Sequence, residues 1–291
     1  MGDPLRGQPA VDRLLKLLDL EQLEVGYFRG VSPEVSLQRV FGGQVAGQAL
    51  VAASRTVSVE RSVHSLHGYF IRAGDPAVPI LYTVEPVRDG RSFTTRRVTA
   101  IQHGRAIFFM SASFQVTEEG FSHQSELPEG VPAPEELQPV WDVVRRNLPP
   151  DAPWNVMDHP IDLRYVGVPG WVSAGTRPKS DRQQVWMRID GKLPDDQALH
   201  ACALTYASDL TLLDSTLAVH GKTWAEVSSA SLDHAVWFHR PFRADEWFLY
   251  DCSSPSTSGG RGLASGRFFT ADGTHIATVL QEGLIRPARP R

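Results

Sequence analysis

The sequence predicts an α+β protein made of two similar modules, each with one buried helix wrapped by an antiparallel β-sheet. Each half of the 291 residues contains an apolar helical segment followed by four strand-like segments. A stretch rich in proline and turn residues separates the halves near the middle of the chain. The chain is 42% hydrophobic and 21% charged, which is typical of a soluble globular protein.

The helix expected in each half carries almost no charge. The first covers residues 43–57 and the second covers residues 196–213. A helix that is apolar on all sides is buried in a protein core. We therefore expect each sheet to wrap around its helix, the arrangement called a hotdog, so that the whole chain forms a double hotdog. An ordinary layered α+β protein is the alternative.

Strand-like segments and turn residues set the expected module boundaries. We expect an N-terminal module at 1–122, a proline-rich connection at 123–160 and a C-terminal module at 161–291. The strand-like segments are 23–28, 63–71, 78–87, 93–102, 105–116, 161–166, 184–189, 231–239, 247–253, 262–270 and 275–285.

Charge and composition exclude several classes of protein. With 29 Lys and Arg against 33 Asp and Glu, the net charge is −4, which gives no strong field for holding nucleic acid. No stretch approaches the roughly 18 apolar residues of a membrane span. The N-terminus has no apolar signal segment and the C-terminus has no prenylation or peroxisomal motif, so a cytoplasmic location is expected.

The sequence predicts neither a metal site nor a bound cofactor. Cys202 and Cys252 belong to no Cys-x-x-Cys or Cys/His cluster, and they are expected to be reduced thiols in the core. The glycines of segment 260–266 have the wrong spacing for a dinucleotide or phosphate loop. These residues are expected to belong to a hairpin.

Asp209 is the most informative single residue. It lies in the middle of the second predicted helix, among apolar residues such as Leu204 and Leu212. A buried carboxylate without partners is strongly destabilising, so Asp209 requires polar neighbours or water. The first helix has only small neutral residues at the corresponding positions 52–54, so the pattern predicts one site per chain. A solvated or helix-capping acid is the alternative.

Ser231, Asp233 and His234 lie close together on one predicted strand, which invites comparison with serine hydrolases. Successive side chains of a strand point to opposite faces, so His234 is expected on the face opposite Ser231. The chain also lacks a Gly-x-Ser-x-Gly nucleophile turn. A hydrogen-bonding role is therefore predicted for Ser231 rather than a nucleophilic one.

Gln281 follows Ala277 and Val279 on one face of the last predicted strand. An amide at such a position needs hydrogen-bond partners. Spacing alone does not connect Gln281 or Ser231 to Asp209, and structural roles for both remain open.

A second motif suggests different chemistry. Segment 195–200 partly matches the Asp-x-Asn-x-x-His signature of hotdog hydratases through Asp195 and His200, but Gln197 replaces the Asn. The alternative is an acidic N-cap at the start of the second helix.

Several segments together resemble the acyl-CoA thioesterase II family, the TesB-like double-hotdog enzymes, and the resemblance extends through nearly the whole chain. The segments are RVFGGQVAGQAL (39–50), VHSLHGYFIRAGD (63–75), YASD (206–209), DHAVWFHRPF (233–242) and QEG (281–283).

This resemblance implies a catalytic set of Asp209, Ser231 and Gln281, with Ser231 at a position where many relatives carry Thr. It implies hydrolysis of acyl-CoA to a free fatty acid and CoA. Asp209 would activate a water molecule that Ser231 and Gln281 help to hold, and no covalent acyl-enzyme would be required. The resemblance also suggests homo-oligomerisation.

Further residues are candidates for binding substrate. Backbone N–H groups at Gly43 and Gln44 are candidates for the oxyanion site, because helix N-termini carry unpaired donors. His64 is a candidate for lining the substrate channel or, equally, a structural histidine. Arg91 and Arg261 occupy matching turns and are candidates for contacting CoA phosphates, with solvated turn residues as the alternative.

Two other functions are weighed against hydrolysis. A hotdog enoyl-CoA hydratase would use His200 and Asp195 instead of Asp209. A non-catalytic acyl-CoA-binding protein would keep the pocket without turnover.

Overall fold

The computed structural model describes residues 4–33, 39–148, 155, 157–167, 169 and 179–288. Its α-helices are α1 (Gly7–Leu18), α2 (Gly42–Ser54), α3 (Val140–Asn147), α4 (Gln197–Ser208) and α5 (Asp214–Ala218). Its strands are β1 (Glu21–Glu24), β2 (Tyr27–Gly30), β3 (Arg61–Phe70), β4 (Ile80–Asp89), β5 (Phe93–Gln102), β6 (Arg105–Val116), β7 (Ile161–Tyr165), β8 (Arg182–Ile189), β9 (Val227–Ser231), β10 (Asp233–Phe238), β11 (Phe248–Ser258), β12 (Arg261–Thr270) and β13 (His275–Pro287).

The described strands form one antiparallel sheet that continues from the first half of the chain into the second. Its order is β1-β2-β4-β5-β6-β3-β10-β13-β12-β11-β8-β7, and β9 pairs separately with β13. The two halves meet where β3 pairs with β10, with Tyr69 opposite Asp233 and Ser65 opposite Trp237. Buried residues of α2, α4 and strands from both halves belong to a single hydrophobic core.

The two central helices, α2 and α4, pack closely because α2 carries glycine at the contact points. A Cβ atom on Gly43 would lie 2.4 Å from the Tyr206 carbonyl oxygen, and one on Gly47 would lie 3.3 Å from the Cys202 carbonyl oxygen. These pairs show that the helices run antiparallel. The N-terminus of α2 therefore meets the C-terminus of α4, and this junction forms the candidate site.

Most strand predictions are confirmed to within a few residues, whereas the predicted end of the second central helix is wrong. The α-helix stops at Ser208, and Asp209 is its C-cap rather than a mid-helix residue. Beyond it the hydrogen bonds run from i to i−3, as in Leu210 N–H to the Ala207 carbonyl and Asp214 N–H to the Thr211 carbonyl. This tighter winding turns the chain into α5.

The predicted continuous strand 231–239 is also wrong, because the chain contains a bulge between β9 and β10. Ser231 lies opposite Gly283, whereas Ala235 lies opposite Leu280. The β9–β10 segment thus takes four steps where β13 takes three. An extra residue reverses the alternation of side chains across the bulge. Ser231 and His234 consequently point toward the same face, contrary to the prediction.

The structure also places the two cysteines and sets the lengths of the described helices. Cys202 and Cys252 are free and buried. Within the part of the chain that the structure describes, no helix is long and apolar enough to cross a membrane.

Candidate active site

A cavity of about 760 Å³ lies at the junction of the two central helices. Apolar side chains of α2, α4, β3 and β6 form most of its wall, together with residues of β9. Its apolar lining includes Val45, Phe70, Ile107, Phe108, Tyr206 and Leu213. Asp209 is a carboxylate in this largely apolar wall, and Ser231 also lines the cavity.

Asp209 accepts hydrogen bonds from side chains of two different strands. Gln281 Nε2 donates to Asp209 Oδ1 over 2.6 Å, and Ser231 Oγ lies 3.4 Å from the same oxygen. Gln281 is 1% exposed and does not line the cavity. The structure therefore brings together Asp209, Ser231 and Gln281, which are separated by up to 72 residues in sequence.

The N-terminus of α2 approaches the carboxylate from the other side. The Gly43 backbone N–H donates to Asp209, and a Cβ atom on Gly42 would lie 2.7 Å from Asp209 Oδ2. Glycine at position 42 thus leaves room for the acid. The positive end of the helix dipole stabilises a negative charge placed there.

Opposing effects set the protonation of Asp209. Burial raises its pKa, because desolvation penalises the charged form. The neighbouring His234 and the hydrogen bonds from Gln281, Gly43 and Ser231 act in the opposite direction. These four neighbours therefore offset part of the desolvation penalty on the Asp209 carboxylate.

His234 and Ser208 form a buried polar pair beside Asp209. His234 Nε2 lies 2.7 Å from Ser208 Oγ, and the histidine is fully buried. Burial lowers the pKa of His234, although the Asp209 charge opposes this shift. This pair was not predicted from the sequence, because an unbroken strand would place His234 on the face opposite Ser231.

The other predicted site residues lie farther from Asp209 or use their side chains elsewhere. Gln44 is buried, and its amide donates to the Val31 carbonyl and to Ser32. His64 lines a second cavity at the other end of α2 and lies 2.8 Å from Ser113 Oγ. Arg91 and Arg261 lie outside the lining of the first cavity, and Arg261 pairs with Glu282 at 2.9 Å.

Two arginines that the sequence analysis did not single out lie at the cavity instead. Arg39 and Arg72 are both exposed and line its wall. Arg39 donates to the Ser229 carbonyl, and Arg72 donates to the Ala106 carbonyl. These hydrogen bonds hold the two arginine side chains in place at the cavity wall. They precede α2 and follow β3, and no sequence pattern distinguishes them from other surface arginines.

The residues of the hydratase-like motif have structural partners at the opposite end of α4. Asp196 caps the helix by accepting from the Ala198 N–H at 2.9 Å, as the alternative interpretation predicted. Asp195 pairs with Arg243, and the buried His200 accepts from the Ala244 N–H. Among the described residues, no group of three or more His, Cys, Asp or Glu side chains is arranged to hold a metal ion.

Comparison with known proteins decides the family. A family profile described as acyl-CoA thioesterase matches residues 162–284, and one described as acyl-CoA thioesterase N-terminal domain matches residues 31–115. Acyl-coenzyme A thioesterase 8 of Mus musculus is 41% identical, covering 98% of this chain and 93% of the relative. The chain belongs to the acyl-CoA thioesterase family. Acyl-CoA thioesterase 2 of Haemophilus influenzae is 40% identical, covering 95% of this chain and 98% of that protein.

Solved structures confirm the fold of this acyl-CoA thioesterase family member. Acyl-CoA thioesterase II TesB2 from Mycobacterium marinum is 49% identical, with a TM-score of 0.78 over 94% of this chain and 98% of that chain. A hot dog fold protein from Alicyclobacillus acidocaldarius, at 20% identity, has a TM-score of 0.74 over 97% of this chain and 99% of that chain. The predicted α+β double hotdog and the resemblance to the thioesterase II family are both confirmed.

Proposed function

We propose that this thioesterase-family enzyme hydrolyses acyl-CoA by direct attack of a water molecule that Asp209 activates. The observation that carries the proposal is the Asp209 carboxylate in the wall of an apolar cavity, with hydrogen bonds from Gln281 and Ser231. Water held between Asp209 and a thioester carbonyl would be both oriented and partly deprotonated. General base catalysis of this kind contributes roughly 10²–10⁴-fold.

The proposed reaction has two steps. Asp209 takes a proton from water as the water oxygen bonds to the carbonyl carbon, which gives a tetrahedral oxyanion. The oxyanion then collapses, the carbon–sulfur bond breaks, and the departing CoA thiolate receives the proton from Asp209. Ser231, on the cavity wall, orients the water, while Gln281 holds the carboxylate. The products are a free fatty acid and CoA.

Other residues at the cavity are suited to the acyl chain, the CoA phosphates and the oxyanion. Its apolar wall, including Phe70 and Phe108, suits an acyl chain. Arg39 and Arg72 are better located than Arg91 or Arg261 to meet CoA phosphates, because they line the same cavity. The Gly43 N–H is already engaged by Asp209, so the Gln44 N–H in the first turn of α2 is our remaining candidate for binding the oxyanion.

An assay of thiol release tests this function. Purified protein is given acyl-CoAs from acetyl to long-chain, and free CoA thiol is measured with a chromogenic thiol reagent. We expect turnover at neutral pH and no addition of water to crotonyl-CoA. Hydration without thiol release would favour the hydratase, and binding without either reaction would favour a non-catalytic acyl-CoA-binding protein.

Replacing Ser231 with alanine should reduce turnover modestly. The hydroxyl lies 3.4 Å from Asp209 Oδ1 and only supplements the stronger Gln281 contact, so a loss of about tenfold is expected. The kcat of Ser231→Ala should remain well above that of Asp209→Asn. Mass spectrometry of wild-type protein during turnover supplies the check on mechanism, because a covalent acyl group on Ser231 would contradict attack by water.

We also propose that the enzyme is cytoplasmic and homo-oligomeric, with module boundaries at 1–122, 123–160 and 161–291. The resemblance to double-hotdog thioesterases motivates the oligomer. The density of proline and turn residues between the two halves motivates the boundaries.

A further inference from the structure

His234 and Gln281 are neighbours across two paired strands. Ala235 of β10 lies opposite Leu280 of β13, and extending this register by one residue sets His234 opposite Gln281. Side chains directly opposite each other on antiparallel strands have Cβ atoms about 4.5–5.5 Å apart. Both side chains point toward the C-terminal end of α4, where His234 contacts Ser208 and Gln281 contacts Asp209.

Each of these two side chains has one buried polar atom that no other described group satisfies. These atoms are His234 Nδ1 and Gln281 Oε1. The ring and the amide interact electrostatically, since the Gln281 amide favours the protonated form of His234. A buried polar atom without a partner is costly, so a donor on His234 facing the acceptor on Gln281 resolves both deficits.

The hydrogen-bond directions follow from the carboxylate. Asp209 only accepts when it is ionised, so the amide nitrogen of Gln281 must face it and Gln281 Oε1 must face away. A carbonyl oxygen also only accepts, so His234 Nδ1 must carry the hydrogen. His234 Nε2 lies 2.7 Å from Ser208 Oγ, and the same hydroxyl lies 2.9 Å from the Thr205 carbonyl oxygen, so it can donate to Nε2 or accept from it while donating to Thr205.

We infer that His234 is a positioning residue that fixes the Gln281 amide, so that the amide N–H rather than its oxygen faces Asp209. The chain of donors runs from His234 Nδ1 to Gln281 Oε1 and from Gln281 Nε2 to Asp209 Oδ1, and Ser208 Oγ contacts the other ring nitrogen, Nε2. His234 itself lies outside the cavity lining, so its role is to position Gln281. The catalytic consequence of this inference rests on the proposed function of Asp209.

The inference requires a hydrogen on His234 Nδ1, which both the neutral Nδ1–H tautomer and the imidazolium carry. Burial lowers the pKa of His234, while the Asp209 and Asp233 charges and the Gln281 amide oppose the shift. Asp233 accepts from the Glu282 backbone N–H at 2.6 Å and so has a partner of its own. An imidazolium would donate from Nε2 to Ser208 Oγ, and the Ser208 hydroxyl would then donate to the Thr205 carbonyl.

The tautomer provides a test that does not depend on activity. In protein labelled with ¹⁵N-histidine, long-range ¹H–¹⁵N correlation spectra identify which ring nitrogen carries the hydrogen. The His234 signals are assigned by their absence from His234→Asn protein. We expect a ring that carries hydrogen at Nδ1. A neutral ring protonated only at Nε2 would overturn the inference.

Kinetics test the consequence for Gln281. His234→Leu removes the donor and should lower kcat about tenfold with little change in KM, because a buried hydrogen bond to the amide is lost. His234→Asn places an amide nitrogen near the position of Nδ1 and should recover most of the activity. His239→Leu, which removes a histidine bonded to Thr278, is the matched control and should retain wild-type kcat.

A double-mutant cycle separates positioning from a general loss of structure. In a Gln281→Leu background, His234→Leu should cause no further loss of kcat, since the amide it positions is absent. Additive losses, or equal losses in His234→Leu and His234→Asn, would overturn the inference. If His234→Leu does not fold, His234→Gln replaces it, because its amide reaches toward Ser208 and leaves Gln281 Oε1 without a donor.

Failure of the proposed function gives a different result. In that case wild-type protein releases no thiol from any acyl-CoA, or Asp209→Asn remains active, whatever the tautomer of His234. Failure of the positioning inference leaves Asp209→Asn inactive while the tautomer or the mutant cycle departs from expectation.

Discussion

Asp209→Asn is expected to fold, and its kcat for thiol release should fall by a factor of about 10²–10⁴ relative to wild type, because an amide does not accept a proton from water at neutral pH. Asparagine has the same shape as aspartate and keeps one oxygen that accepts from Gln281, so the geometry of the site should largely survive. Steady-state assays over a range of acyl-CoA chain lengths measure the loss. Turnover within a few-fold of wild type would refute the role of Asp209.

The same variant should be at least as resistant to heat as wild-type protein at neutral pH. Burial raises the pKa of Asp209, so the folded state holds that proton more tightly than the unfolded state does. The contribution of this group to stability is therefore greatest in acid and falls as pH rises through the raised pKa. Asparagine does not ionise, so the substitution removes the free-energy cost of a buried charged carboxylate at neutral pH. Asp251→Asn is the control, since it removes a buried carboxylate paired with Arg267 away from the cavity and should lower Tm while preserving turnover.

Gln281→Leu should have the second largest effect, a loss of about tenfold to a hundredfold in kcat. Hydrogen bonds to charged groups contribute about 1.5–3 kcal/mol, and leucine offers none to the carboxylate. The pKa of Asp209 should rise further, because Gln281 is one of the groups that hold it down. Activity requires the ionised acid, so the acid limb of the pH–kcat profile should move to higher pH.

Gln48→Leu is the matched control for this change. Gln48 is a fully buried amide that bonds to Tyr82 and to the Leu17 carbonyl, away from the cavity. Its replacement should cost stability and leave the acid limb in place. An unshifted acid limb in Gln281→Leu would mean that this amide does not act on the titration of Asp209.

The double-hotdog architecture and the candidate catalytic residues could be predicted from the sequence. Two uncharged helices and alternating strands predicted the hotdog modules, and a lone acid in an apolar helix directed attention to Asp209. The resemblance to a known family, rather than spacing, connected that acid with Ser231 and Gln281. Those residues come from β9 and β13, and only the folded sheet brings them to α4.

Local irregularities account for what the sequence analysis did not find. The bulge at Leu232 adds one residue to the strand, which reverses the alternation of the side chains that follow it. His234 therefore faces Gln281 rather than the opposite side of the sheet. The end of α4 at Ser208 has no clear signal in the sequence, since Leu210, Leu212 and Leu213 continue the apolar pattern. Gly42 was overlooked because its importance depends on a carboxylate more than 160 positions away.

The pairing of β3 with β10 limits how substrate enters. Gly43 belongs to the first half and Asp209 to the second, and the hydrogen bond between them spans the line along which the halves would part. A hinge motion between the halves would break an entire row of interstrand hydrogen bonds and separate the acid from its helix N-terminus. Under the proposed function, the acyl chain is therefore expected to enter without separation of the two halves. The reactive groups are already in place before the substrate arrives.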